Sequence, residues 1–257
     1  MILDTLAAAR ARVATLEKQK SLAAVRDEAE QLHKAEHSFA ESLRQPGLNF
    51  ICECKKASPS KGLIAPEFPF LEIAQAYERG GASAISCLTE PDYFLGSDEY
   101  LREIARQASV PVLRKDFTVS VYQIYEAKVL GADAILLICA ILSQAELEEF
   151  RLAAESVGLD VLVETHDTAE IEMALKSGAQ IIGINNRNLK DFTVDLGTCL
   201  NLRKEIPESR ISVAESGIRT EADIALLKEA GFNGVLIGET LMRSGDPEAM
   251  LRRLRQA

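Results

Sequence analysis

From Phe50 onward, short β-branched runs alternate with amphipathic stretches, and this alternation constrains the fold more than any other feature of the chain. Strands are predicted at residues 50–55, 84–88, 112–115, 134–138, 161–164, 181–184, 211–214 and 234–237. Helical patterns fill the intervals at 72–79, 98–108, 121–130, 145–156, 169–176, 198–204, 221–229 and 247–254. Several of these helices end on glycine before the next strand, as in Leu130-Gly131 and Ala230-Gly231, where a left-handed residue closes a helix. A helical crossover between successive strands makes them parallel. Eight such units predict a (β/α)8 TIM barrel. An open doubly wound sheet is the alternative, but it usually carries a G-x-G-x-x-G turn after its first strand, and the sequence contains none. At 257 residues, the chain has the length of one barrel.

Residues 1–45 do not follow this pattern. Leu3, Leu6, Arg10, Val13 and Leu16 have helical spacing, and 27–43 is a second charged, helix-prone segment, broken from the first strand by Pro46-Gly47. The expected organisation is a single domain of 257 residues, with helices at 1–45 covering part of a barrel at 46–257. His33 and His37 stand four apart, as metal ligands do, but no third ligand accompanies them, and they read as a solvated helix face.

In a barrel of this kind the chemistry sits at the carboxyl ends of the strands. Side chains alternate along a strand, so Ile51, Glu53 and Lys55 share one face while Cys52 and Cys54 share the other. A second lysine, Lys115, ends the third strand on the face of Leu113. Glu164, Asn185 and Glu215 end the fifth, sixth and seventh. Charges on the inner face of a strand are costly to bury, and lysines beside glutamates shift each other's pKa values, as acid–base chemistry requires. A structural ion pair is the bland reading of Glu53 and Lys55 alone; convergence of several strand ends favours a site. After the last two strands, Ser216-Gly217 and Gly238-Glu239 supply turns where backbone N–H groups can approach an anion. The bland reading there is tight turns only. The Glu239 side chain would have to turn away from a phosphate, leaving its N–H to bind.

The 29 Lys and Arg against 39 Asp and Glu leave a net charge of −10, which disfavours nucleic-acid and anionic-membrane partners. No apolar run reaches the ~18 residues of a membrane span, and the start of the chain lacks a signal-peptide pattern. Four of the five cysteines sit in apolar strand contexts, and their spacing suggests neither disulfides nor a metal site. The expected protein is reduced and cytoplasmic, without disulfides.

The segment ECKKASPSKG, with SCLTEPDYFLGS, VLRKDF, GADAILLICAIL, GINNRNL, VAESGI and LIGETLMR, resembles the indole-3-glycerol-phosphate synthase family from the first strand to the last helix. The first segment is similar to that family's E-x-K-x-x-S-P-S-x-G signature. Departures are small: Cys87 stands where an aliphatic residue is more usual, and Glu239 where some members have serine. The resemblance implies ring closure of 1-(2-carboxyphenylamino)-1-deoxyribulose 5-phosphate, with loss of carbon dioxide and water. It implies Lys115 as general acid and Lys55 beside Glu53 as holder of the substrate carboxylate. Glu164 or Glu53 would be the final base, and Asn185 and Glu215 would hold hydroxyls or orient the lysines. Ser58, Pro59, Phe94, Phe117, Arg187 and Ser216 would bind the rest of the substrate, and Gly217, Gly238 and Glu239 its phosphate. The same likeness implies a small phosphorylated substrate and no need of a metal or organic cofactor; a monomer is expected.

Three other readings compete. A phosphate-binding isomerase barrel would want a carboxylate and thiol pair and no second inward lysine. A Schiff-base aldolase would use one buried lysine as an imine former. A silent scaffold barrel has no reason to keep so many charges at one rim.

Overall fold

The computed structural model describes residues 2–32, 37–189 and 191–257. His33 lies outside the described residues, so the His33–His37 pairing has no structural account. Three helices come first: α1 (Ile2–Gln19), α2 (Leu22–Gln31) and α3 (Phe39–Leu43). The expected pair becomes three because Ser21 and Ser38 each cap a new start, accepting from Ala24 N and Glu41 N. β1 (Asn49–Cys54) follows, then a small antiparallel hairpin of β2 (Ala57–Ser58) and β3 (Gly62–Leu63). Seven further strands are β4 (Ala84–Leu88), β5 (Val112–Lys115), β6 (Ala134–Ile138), β7 (Asp160–Thr165), β8 (Ile181–Asn185), β9 (Ile211–Glu215) and β10 (Gly234–Ile237). The helices between and after them are α4 (Phe70–Gly80), α5 (Asp98–Gln107), α6 (Val121–Val129), α7 (Gln144–Ser156), α8 (Thr168–Lys176), α9 (Gly197–Leu202), α10 (Glu221–Glu229), α11 (Glu239–Met242) and α12 (Pro247–Arg255).

β1 and β4 to β10 pair in parallel and close into one barrel, each strand beside its neighbour in chain order and β10 returning to β1. The (β/α)8 barrel is therefore the observed fold. Strand alternation splits the core into two shells. Ile51, Leu113, Leu136, Leu162, Ile181 and Val213 pack inside the barrel. Cys52, Cys54, Cys87, Val112, Ile135 and Ile182 pack outward against the helices. Three of the cysteines lie in strands and Cys139 sits just past β6; all five are buried and free.

α3 closes the bottom of the barrel. Phe39 and Leu43 are fully buried in the inner shell. Asn49, at the first position of β1, donates from its side chain to Leu43 O, Gln45 O and Asn233 O, which ties the chain to this plug. α1 and α2 pack against α6 on the outside. At the mouth, Arg12 of α1 meets Asp116 at 2.7 Å, so the N-terminal segment reaches both ends of the barrel. No helix among the described residues is long and apolar enough to cross a membrane.

The outward position of Cys52 and Cys54 has a measurable consequence. Their joint replacement by Ala is expected to reduce stability by roughly 1–2 kcal/mol through lost buried volume, with turnover almost unchanged. Denaturant melts beside an activity assay check this; a large activity loss in a folded variant would contradict outward packing.

Candidate active site

The carboxyl ends of the strands surround a cavity of about 410 Å³, a size suited to one small ligand. Glu53, Lys55, Lys115, Glu164, Asn185 and Glu215 all line it, as do Ser58, Pro59, Phe94, Phe117, Arg187, Ser216, Gly217, Gly238 and Glu239. The barrel thus brings together every candidate site residue named in the sequence analysis.

Register explains the convergence. Lys115 is the partner of Leu88, Glu164 of Ile138, and Glu215 of Asn185 across adjacent strands. Each is the last inward position of its strand, one layer above the apolar plug. Lys115 Nζ stands 3.7 Å from Glu164 Oε2 and 3.9 Å from Glu215 Oε2. Lys55 lies just past β1, is about one-fifth exposed, and reaches back to Glu53 Oε1 at 2.5 Å.

Burial and neighbouring charge push these groups apart. Burial works against the Lys115 ammonium, but Glu164, Glu215 and Glu53 outweigh it and hold the lysine charged, well above its usual value. Burial favours neutral Glu164, yet Lys115, His166 and a hydrogen bond with Asn185 bring its carboxyl down to about 2. Glu53 is also lowered, because Lys55 and Lys115 overcome burial. Glu215 goes the other way: burial, then the charge of Glu164, lift it to about 8 despite Lys115. Its Oε1 is buried with no hydrogen-bond partner among the described residues, which suits a neutral carboxyl. Two carboxylates with opposite shifts beside one ammonium can divide acid and base roles.

The loops shape the rest of the cavity. Phe94 and Phe117 stand with ring centroids 6.3 Å apart. Arg187 donates from Nη1 to Ser60 Oγ at 3.2 Å and Phe192 O at 3.3 Å, so it joins the loop after β8 to the β2–β3 hairpin. Asn185 accepts the Arg187 N–H at 3.0 Å. Glu239 turns its carboxylate to Arg243 Nε at 3.2 Å, on its own short helix. Ser216 and Gly217 have φ of 66° and 79°, a left-handed pair that turns the chain over the mouth after β9.

The glycines at the mouth also make room for carboxylates. A Cβ at Gly238 would lie 2.8 Å from Glu53 Oε1 and 3.1 Å from Glu53 Cβ, so Gly238 leaves space for Glu53. Gly183, absent from the sequence reading, does the same for Glu215: a Cβ would come 2.1 Å from its Oε1. Its signal was present, since a glycine inside a strand marks a close approach.

Other residues were missed as well. Thr5 of α1 and Leu136 line the cavity. His166, just past β7, sits between Glu164 and Glu170. A lone histidine after a strand carries no pattern, and only the folded loop shows its neighbours.

A family model described as indole-3-glycerol phosphate synthase matches residues 3–254. A protein of that name from Ruminiclostridium cellulolyticum is 51% identical over 99% of both chains. Another from Endomicrobium trichonymphae is 53% identical over 99% of this chain and all of its own. Among solved structures, KGPDC from Streptococcus mutans superposes with a TM-score of 0.64 at 12% identity, over 82% of this chain and 96% of that one. Likeness at that level speaks for the barrel alone.

Proposed function

The chain belongs to the indole-3-glycerol phosphate synthase family, and on that premise we infer how its residues divide the reaction. The enzyme is a carboxy-lyase of L-tryptophan biosynthesis. It closes the ring of 1-(2-carboxyphenylamino)-1-deoxyribulose 5-phosphate and releases carbon dioxide, water and indole-3-glycerol phosphate. The observation that supports the division of labour is the cluster of Lys115, Glu164 and Glu215 on three separate strands, within 4 Å of one ammonium.

Lys115 is the general acid. As the aromatic carbon attacks the ketone, its charged ammonium gives a proton to the developing oxyanion. Lys55 holds the substrate carboxylate until it leaves as carbon dioxide, and then protonates the departing hydroxyl. Glu164 removes the remaining C–H proton, completing the indole. Two protons given and one taken leave one consumed overall, as expected when a carboxylate departs as a neutral gas. The 3.7 Å between Lys115 Nζ and Glu164 Oε2 lets the abstracted proton return to the acid. Asn185 orients Glu164, and Glu215, 3.9 Å from the ammonium, helps to position Lys115.

Phe94 and Phe117 flank the aromatic ring, with Ser58 and Pro59 covering it. Arg187 and Ser216 hold the chain of hydroxyls. Gly217, Gly238 and the Glu239 N–H receive the phosphate, with the Glu239 carboxylate turned to Arg243. Every step moves a proton or holds an ion, so the reading needs neither metal nor organic cofactor. The whole set comes from one chain, which supports a monomer, and five buried free thiols support a reducing cytoplasm.

Indole fluorescence and carbon dioxide release on adding the substrate test the reading; release of neither would end it. Gly238→Ala is expected to raise KM and lower kcat together, because the new Cβ displaces Glu53 as well as crowding the anion. Misplacement by about 1 Å in such a site costs on the order of 10²-fold. Inorganic phosphate should compete with substrate in the parent enzyme. Unchanged constants in the variant, with no competition by phosphate, would move the anion site elsewhere.

A further inference from the structure

The loop between β7 and α8 holds a buried charge relay that the reaction as described does not use. We propose that His166, anchored by Glu170, is a positioning residue that keeps Glu164 ionised and aimed at the substrate. The inference deepens the proposed function and rests on Glu164 being the final base.

The geometry starts at the helix cap. Asp167 caps α8, accepting from Glu170 N at 2.9 Å. Glu170, one turn in, reaches back past the cap, and its Oε2 accepts from His166 N at 2.8 Å and meets His166 Nδ1 at 2.9 Å. Two contacts on one carboxylate oxygen fix the plane of the ring. The other ring nitrogen, Nε2, is buried and makes no hydrogen bond within the described residues. It points to Glu164 Oε1 at 3.4 Å, the oxygen that Lys115 does not approach. Lys115 and His166 therefore hold one oxygen of Glu164 each. A helix cap alone would account for Glu170 but not for an imidazole edge directed into the site.

The charges around the ring agree. Burial opposes the imidazolium, yet Glu164 and Glu170 raise its pKa to about 10. Lys115 on β5, Glu215 on β9 and Glu53 on β1 face the same cluster, and Cys139 past β6 donates from Sγ to the backbone carbonyl of Glu170 at 3.6 Å. Of the groups facing Glu164, Lys115 and His166 are the cations. The reaction deprives Lys115 of its proton in the first step. At the moment Glu164 is needed as a base, His166 is the cation still holding it ionised.

The consequence is confined to the last chemical phase. Removing a nearby cation raises a carboxyl pKa by roughly one to three units, and each unit removes about tenfold of the ionised base below the new value. From about 2, the acid limb of indole formation should therefore move up by roughly one to three units in His166→Ala, slowing this phase by up to ~10-fold at pH 4 and much less at pH 8, while carbon dioxide release in the same single turnover keeps its rate. KM should change little. His166→Gln, which can donate a hydrogen bond without charge, should restore part of the rate at pH 8 but not at pH 4. Glu170→Gln, which leaves the histidine in place, should shift the profile in the same direction by less and serves if His166→Ala is unstable. Equal slowing of both phases at both pH values would mark a structural role and overturn the proposal, as would no slowing at all. Glu164→Gln, run in parallel, separates the two levels of inference. If it leaves indole formation intact, the base assignment fails; if it blocks that phase while His166→Ala shows no pH-dependent defect, only the present inference fails.

Discussion

Lys115→Met is expected to lower kcat at least ~10³-fold with little change in substrate affinity. Methionine is similar in length to the lysine side chain but has no proton to give. The ammonium does two things in the first step: it protonates the carbonyl oxygen, and it stabilises negative charge on that oxygen in a site closed by aromatic walls. The first is typically worth about 10²–10⁴-fold, and the second adds to it. The variant also leaves Glu164 and Glu53 without their shared cation, since Lys115 lowers the pKa of both. Breaking a buried pair from one side costs roughly 3–5 kcal/mol when the charge remains. Part of that is relieved if Glu164 takes up a proton, so the variant should gain stability as pH falls. Lys55→Met should behave differently, because Lys55 is at the edge of the cavity and holds the substrate carboxylate. It should weaken binding as well as turnover. Substrate titration and single-turnover kinetics on both variants decide the matter. If Lys115→Met fails only in binding and closes the ring quickly once saturated, the two lysines have exchanged roles.

Much of this site was legible because two simple periods carry it. Alternation along a strand placed Glu53 inward and Cys52 outward, and the structure has them in opposite shells of the core. The same period set Lys115 apart from Arg114, which lies outward among Asp98, Glu126 and Asp116. Parallel strands of similar length then bring their last inward residues to one level, so the convergence of Glu164, Asn185 and Glu215 needed no long-range information.

What was not legible depends on contacts between distant segments. Gly238 was read for its own backbone, while its partner is Glu53, on the first strand of the barrel. Gly183 answers to Glu215 in the same way. The hairpin of β2 and β3 was read as a loop because two-residue strands leave no pattern. The segment before the barrel divided differently because α3 is only five residues long and is held by what it plugs. Phe39 and Leu43 look like an ordinary helix face until the barrel interior is there to receive them. The pKa order of the glutamates was hidden as well: Glu164 and Glu215 look alike in sequence, and only their distances from Lys115, His166 and each other separate a carboxylate near 2 from one near 8.

That separation leads to the second large effect. Glu164→Gln is expected to lose ~10²–10⁴-fold in kcat, and the loss should fall on the end of the reaction. Glutamine keeps the volume and can still face Lys115 and Asn185, so ring closure should survive. Decarboxylation follows from the substrate's own carboxylate and asks nothing of Glu164. Elimination of water then stalls, because the C–H proton has no acceptor. The first turnover should release carbon dioxide with little indole fluorescence, and the parent enzyme should release both together. The sign of the pH dependence follows from the depressed pKa. Glu164 is ionised throughout the neutral range, so in the parent enzyme it should impose no acid limb until pH approaches about 2. Glu53 is the rival base, and it too is held ionised. It stands against Lys55 at 2.5 Å, however, with Ser86 Oγ donating to its other oxygen at 3.4 Å. A carboxylate already paired with the cation that grips the substrate is placed to organise binding. Glu53→Gln should therefore raise KM and slow ring closure, leaving carbon dioxide and indole in step with each other. The opposite pattern, with carbon dioxide running ahead of indole in Glu53→Gln and not in Glu164→Gln, would give the final proton to Glu53.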